Sequence, residues 1–459
     1  MFLIFKLLPT TCVTLQNKSY LKCISHKCGK EYPIPTTEFQ CICGNPLDVK
    51  YKDAPSQNLK ELFYQRRNPQ GSIFNESGVW RFRELLNFCE INTEDLDQCS
   101  QHLVSLDGAE GRQSKPYHMS KVAKFVGMEN EKLMLQPEGY NPSGSFKDNG
   151  MSAAVTHAKL VSAKKIICAS TGNTSASAGM FAANENMECD VYIPEGEIAP
   201  GKLSQAYQFG TQLIHVDGNF DDAFTQSLDA AKESGSYTVN SINPFRIEGQ
   251  KTIPYRALEF LEWETPDWIV YPGGALGNTS SCGKCLMELH EWGWIKKIPR
   301  IAVINAEGAN TLDVLYNGKF ENTELRWNKG NPDTELVENY YVKMNEEHIR
   351  PKTKATAIQI GKPANLLKGL RALEFTDGVV TTVTDNEMLD GMSIVGLNGF
   401  DCEMASGAVP AGIKKLLNEN VIKKDDKIVG ILTGRQKEPL LPINYHNEPT
   451  NQFAIPPKR

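Results

Sequence analysis

The sequence predicts an α/β protein built on parallel sheets, with a small cysteine-containing β-ribbon near its N-terminal side. Three observations carry this. From about residue 130, short β-branched runs alternate with stretches of helical periodicity. Polar, glycine-rich loops follow several of those runs, where open parallel sheets gather ligands. The chain's 459 residues exceed what one hydrophobic core supports, which favours two or three domains.

The elements follow in order. "MFLIFKLLPTTCVTLQ" is apolar but interrupted by Lys6 and Pro9. It has neither a basic leading region nor a small-residue cleavage site, so residues 1–19 read as a tail rather than a signal peptide. Residues 20–50 hold Cys23, Cys28, Cys41 and Cys43 across a hairpin-like span. Thiolates so placed can close a tetrahedral zinc site. The spacing is irregular, with four residues inside the first pair and one inside the second. A β-ribbon with free thiols is the alternative. Then "EKLMLQ", "KKIICAS", "CDVYIP", "TQLIHVDG", "YTVNS", "DWIVYPGG", "RIAVINAEG", "GVVTTVT" and "DKIVGILTG" read as strands separated by helices. Residues 318–360, polar and poorly periodic, read as a surface excursion.

Composition excludes some partners. Charged residues make up 23% and apolar residues 40%, an ordinary globular balance. A net charge of −6 gives no support for a nucleic-acid partner. No run approaches the ~18 apolar residues of a membrane helix. Most of the 12 cysteines are scattered singly, as Cys168 and Cys402 are, and read as reduced thiols of a cytoplasmic protein.

Four loops carry chemistry. In "NPSGSFKDNG", Lys147 stands at a helix mouth, where the helix N-terminus disfavours a cation and helps to make the amine nucleophilic. The bland alternative is an exposed lysine capped by Asp148. In "CASTGNTSASAG", Ser170, Thr171, Asn173 and Thr174 offer donors to a carboxylate or phosphate at the start of an alanine-rich helix. In "YPGGALGNTSS", glycines let backbone N–H groups converge on phosphate oxygens, although the loop is neither a Walker loop nor a dinucleotide fingerprint. In "GILTGRQKEP", Thr433 ends a strand where one hydroxyl can meet a heterocycle nitrogen. Together these ask for one ligand bearing a phosphate, an aldehyde and a ring nitrogen. Pyridoxal phosphate has all three.

On these motifs the chain resembles the threonine synthase family, within the two-domain fold-type II pyridoxal-phosphate enzymes (tryptophan synthase β-like). "SGVWRFRELL", "NSINPFRIEGQKT" and "CEMASGAVPAGIKKLL" extend the resemblance from about Tyr20 to the C-terminus. It implies a large domain of residues 51–154 and 246–440, a small domain of residues 155–245, a tail at 441–459 and a homodimer. Lys147 would carry the cofactor covalently and move protons, with Phe146 against the ring. Asn173 would bond the phenolic oxygen and Thr433 the pyridine nitrogen. Gly273, Gly274, Ala275, Leu276, Gly277 and Asn278 would cradle the cofactor phosphate. Ser170, Thr171 and Thr174 would take the substrate carboxylate. Asn240, Ser241 and Arg246 would take the leaving phosphate, for which a planar, permanently charged guanidinium is suited. The implied reaction converts O-phospho-L-homoserine and water to L-threonine and phosphate.

The chain also departs from the family pattern. A Gly-Glu-Gly-x-Thr-Pro-Leu motif is expected before the lysine, but the region reads "SLDGAEGRQSKPYHMSKV", keeping Glu110, Gly111 and Pro116. Ala275 stands where Asn is common, and "TGRQKEP" replaces Thr-Gly-His-Gly-Leu-Lys. Arg112 or Lys115 are candidates to replace a lost phosphate contact. These changes keep open an ammonia-lyase, a β-replacement enzyme acting on phosphoserine, and a non-catalytic paralogue.

Overall fold

The computed structural model describes residues 19–67, 72–89, 103–195, 200–218 and 220–437. The predicted tails therefore lie outside the described residues, except that Ser19 already begins a strand.

The described strands are β1 (Ser19–Cys23), β2 (Glu31–Tyr32), β3 (Leu47–Tyr51), β4 (Tyr117–His118), β5 (Leu133–Pro137), β6 (Lys165–Ala169), β7 (Glu188–Pro194), β8 (Gln212–Val216), β9 (Tyr237–Thr238), β10 (Trp268–Gly273), β11 (Arg300–Ala306), β12 (Val379–Val383) and β13 (Ile428–Leu432). They form three sheets. β1 pairs antiparallel with β2 and β3 in the N-terminal ribbon. The largest sheet has the order β12-β11-β10-β13-β5-β4. It is parallel throughout except at the edge, where β4 runs antiparallel to β5. The third sheet, β8-β7-β6-β9, is wholly parallel.

The central strands β10 and β13 are buried at every residue, which is why their sequences are continuous apolar runs rather than alternating ones. Helix Met404–Asn418 lies directly on this sheet. A Cβ on its Gly412 would come within 2.4 Å of the Ile304 side chain, so only glycine permits so close an approach.

Every run predicted as a strand contains one. The 318–360 excursion is a correction. It contains helix Thr334–Glu346, opened by the Asp333 side chain accepting from Leu336 N, with Leu336, Val337, Tyr340 and Met344 buried. That spacing is a helical stripe, masked in the sequence by the charges on the opposite face. Among the described residues no helix is long and apolar enough to cross a membrane.

The two parallel sheets place their polar loops together. Those after β5, β6, β10 and β13 contain Lys147, Asn173, Gly274 and Thr433, the four loops singled out from the sequence.

Candidate active site

Lys147 opens helix Lys147–Leu160. The loop before it is laced to the loop after β13: Phe146 N donates to Thr433 O at 2.9 Å, and Arg435 N donates to Gly144 O at 2.9 Å. Gly144 sits at φ +85°, a left-handed conformation that glycine adopts without strain. The carboxylate of buried Asp148 turns back into this loop and accepts from Ser143 N at 2.7 Å and Ser143 Oγ at 2.5 Å. Asp148 is therefore no exposed cap for a surface lysine. The Lys147 ammonium group lies 4.4 Å from the centroid of the Phe146 ring. Burial, reinforced by the nearby Arg246 charge and opposed by Glu403, pulls the lysine pKa down to about 7. A large neutral fraction at physiological pH is what a nucleophilic amine needs.

The donors expected at the ring converge on one point. Asn173, the first residue of helix Asn173–Asn184, donates from Nδ2 to Glu403 Oε2 at 2.9 Å. Thr433 Oγ1 donates to the other oxygen of the same carboxylate at 2.6 Å. The Thr433 hydroxyl is also 3.1 Å from Ser406 Oγ, which accepts from Thr433 N at 2.8 Å. Lys437 Nζ donates to Asn173 Oδ1 at 3.0 Å. Glu403 and Lys437 were not singled out from the sequence. The stretch "CEMASGAVPAGIKKLL" was read only as a family segment, and nothing in its pattern shows that its glutamate reaches across to Asn173.

β10 delivers the glycine loop. Leu276 adopts φ 63°, ψ 16°, and helix Gly277–Glu291 begins behind it with no side-chain cap. Its first N–H groups thus lack intrahelical partners. Around this mouth Asn278 Oδ1, Thr279 Oγ1 and Gln250 Oε1 are buried without hydrogen-bond partners. A Cβ on Gly277 would stand 3.1 Å from Gln250 Oε1. The Ala275 carbonyl accepts from Asn365 N at 3.1 Å, and the Asn365 side chain donates to Ser241 O at 3.0 Å. This ties the glycine loop to the segment that leads into Arg246.

Arg246 lies on helix Pro244–Gln250, whose first turn is capped by Asn243 accepting from Phe245 N at 2.9 Å. Its side chain is 1% exposed. One nitrogen donates to Val239 O at 3.0 Å, while Nε and Nη2 have no partner. Burial, with no carboxylate beside it, lowers its pKa to about 10. Ser170 and Thr174 are nearly buried and Thr171 is half-buried at the start of the Asn173 helix. Asn240 also has a structural part. Its amide grips the end of β6, accepting from Ala169 N at 3.0 Å and donating to Ala169 O at 2.9 Å. Arg112 pairs with Glu76, and Lys115 lies 5.4 Å from the Tyr117 ring centroid. Glu110 is fully buried and accepts from Ser77 Oγ at 2.6 Å, Ser105 Oγ at 2.7 Å and Leu106 N at 3.1 Å. The 107–116 loop is thus organised around an internal carboxylate.

The residues fit pyridoxal phosphate. An uncapped helix mouth with an unpartnered hydroxyl suits its phosphate. An amine with lowered pKa suits its aldehyde. Two donors close enough to be bridged by one carboxylate suit its ring acceptors.

Comparison with known proteins agrees. Residues 114–434 match the family model "Pyridoxal-phosphate dependent enzyme". The threonine synthase of Methanocaldococcus jannaschii is 35% identical over 430 residues, covering 93% of this chain and 95% of that protein. The threonine synthase of Methanosarcina acetivorans is 33% identical, with coverages of 94% and 95%. Among solved structures, an L-serine ammonia-lyase from Rhizomucor miehei superimposes with a TM-score of 0.56 at 17% identity, covering 73% of this chain and 98% of that one. A diaminopropionate ammonia lyase from Escherichia coli gives 0.57 at 14% identity, with coverages of 86% and 92%. Those two likenesses establish the fold-type II architecture, and the sequence relatives establish the narrower group. The chain belongs to the pyridoxal-phosphate-dependent enzymes and, within them, to the threonine synthase family.

Proposed function

We propose that this protein converts O-phospho-L-homoserine and water to L-threonine and phosphate. The observation that carries the reading is Arg246: a buried guanidinium whose Nε and Nη2 have no partner, and whose charge helps to depress the pKa of Lys147. Burying a charge without a counter-ion is costly, and an anionic group on the substrate would offset that cost. A phosphate presents paired oxygens to the free edge formed by Nε and Nη2.

The remaining residues take consistent roles. Pyridoxal phosphate, when bound, supplies an electron sink conjugated to the substrate's α carbon. Lys147 Nζ, substantially neutral near pH 7, is the base for the α proton and returns protons to the substrate skeleton. Thr433 would present a hydroxyl rather than a carboxylate to the pyridine nitrogen in place of its bond to Glu403, and a neutral partner there would suit elimination and replacement at the β and γ carbons. Ser170, Thr171 and Thr174 would hold the substrate carboxylate at the mouth of the Asn173 helix. Gly273, Gly274, Ala275, Leu276, Gly277 and Asn278 would cradle the cofactor phosphate, and Thr279 would add its hydroxyl. Asn240 and Ser241 would join Arg246 at the leaving-phosphate end, with Asn240 also fixing Ala169. We read the β6–β9 sheet as the small domain, the six-stranded sheet as the large one, and the assembly as a cytoplasmic homodimer.

The test is phosphate and amino-acid release by purified, cofactor-loaded protein given O-phosphohomoserine. Threonine and phosphate should appear in equal amounts, and Lys147→Ala should lower the rate at least about a thousandfold. A wild-type protein that takes up the cofactor but leaves this substrate intact would overturn the reading. It would point instead to the 107–116 loop and Ala275 as marks of another substrate.

A further inference from the structure

The N-terminal ribbon holds a second concentration of chemistry. The Sγ atoms of Cys23, Cys28, Cys41 and Cys43 all lie within 4.8 Å of one another. Cys23 and Cys43 are 3.5 Å apart, and Cys28 and Cys41 are 3.6 Å apart. The edge of a tetrahedron of thiolates around zinc is about 3.8 Å, from Zn–S bonds of about 2.3 Å. The irregular spacing in the sequence is absorbed by the turns. Cys28 N and Gly29 N both donate to Ser25 O, at 3.2 and 3.0 Å, which folds the longer first knuckle back on itself. Gly44 N donates to Cys41 O at 2.8 Å and closes the shorter second knuckle.

The surroundings are those of a metal site's outer shell. The Tyr32 hydroxyl donates to Cys41 Sγ at 3.3 Å and itself accepts from Ile42 N at 3.0 Å. Asn45 Nδ2 donates to Cys43 Sγ at 3.5 Å. Such donors orient thiolate ligands and spread their charge. The ribbon spans only residues 19–51. Units below about 40 residues usually need a metal, a disulfide or a partner to hold a fold.

This ribbon also touches the helices that matter. The Ile34 carbonyl accepts from His157 Nε2 at 2.8 Å, on the helix that begins with Lys147. Phe39 packs edge-on against Phe245, the neighbour of Arg246, at 6.3 Å between centroids. The Tyr51 hydroxyl donates to Glu248 on the same helix as Arg246. Asp48 pairs with Lys368 at 3.0 Å and with Arg371 at 2.5 Å, on the helix that follows Asn365.

We propose that Cys23, Cys28, Cys41 and Cys43 bind one structural zinc ion, and that this ion locks the ribbon as a brace behind the helices carrying Lys147 and Arg246. Four protein thiolates leave no open coordination position, so the role is structural rather than catalytic.

The experiment is elemental analysis of cofactor-loaded protein, expressed with added zinc and purified without chelator, beside Cys43→Ser and Cys43→His. Wild type should carry about one zinc per chain, and Cys43→Ser less than about a tenth of that, while imidazole in Cys43→His restores most of it. Stripping zinc from wild type should lower its melting temperature by roughly 10 °C and speed proteolysis within residues 19–51. Wild-type protein with well under one zinc per chain, with iron in its place, or with a Cys23–Cys43 disulfide on peptide mapping would overturn the site. Zinc removal that leaves melting and proteolysis unchanged would overturn the brace. Wild-type stoichiometry and melting decide the matter even if the serine variant fails to fold.

Discussion

Arg256 and Arg246 are both buried to 1% exposure, and their surroundings could hardly differ more. Arg256 is a knot. It forms two bonds to the Glu138 carboxylate, at 2.7 and 2.9 Å, and others to Gly78 O, Ser114 O, Asn149 Oδ1 and Thr252 Oγ1. Glu138 in turn accepts from Asn141 and Asn149, so the network underpins the loop that carries Lys147. Arg246 is equally buried but has one backbone acceptor and two idle nitrogens, Nε and Nη2. A fully satisfied buried charge reads as architecture. A buried charge left half-satisfied is tolerated where a ligand completes it.

The comparison breaks or sharpens under substitution. The largest expected effect is on stability: Arg256→Met strands the Glu138 carboxylate and should cost about 3–5 kcal/mol, read by denaturant unfolding. Arg246→Met removes an uncompensated buried charge, so its unfolding midpoint should equal or exceed wild type. Its turnover of the phosphorylated substrate should nonetheless fall roughly 100-fold or more, because two charge-assisted bonds to phosphate are lost. If Arg246→Met were the strongly destabilised protein and kept its activity, the contrast between the two would be void. Glu403→Gln keeps the shape but removes the charge and turns one of the two acceptor oxygens into a donor, so it cannot accept from both Asn173 and Thr433. It should lower kcat about tenfold, the difference between a charged and a neutral hydrogen bond. Unchanged kinetics would reduce Glu403 to a spacer.

A further effect is one of pH. In cofactor-free protein Lys147 titrates near pH 7, while a lysine in the unfolded chain holds its proton up to about 10.5. Between those values the unfolded state binds more protons, so Lys147's contribution to stability rises with pH across that window. Below about pH 7 both states are charged and the contribution is at its lowest. Melting temperature against pH for wild type, compared with Lys147→Met, measures this, and parallel curves would show that the buried amine is not depressed.

Much of this was readable along the chain. Strand runs, the lysine at a helix mouth and the glycine loop depend on periods of two and 3.6 residues and on backbone freedom, which are local properties. Helix Thr334–Glu346 escaped because its four buried residues are diluted by charges on the other face. Asn240 has the right residue type for a phosphate contact, and its amide also pairs with Ala169 across 71 positions, which no local pattern shows. Glu403 reaches Asn173 across 230 positions.

The sequence by itself determined the alternating α/β plan, the loops that follow the strands, and the kinds of group those loops present. Only the tertiary structure decided which groups meet, which are already satisfied and which are left waiting. The solitary Arg246, the shared Glu403 carboxylate and the closed quartet of sulfurs are all of this second kind. The physical reason is that hydrogen-bond satisfaction and desolvation depend on neighbours supplied by distant segments, and no local pattern encodes a neighbour's absence.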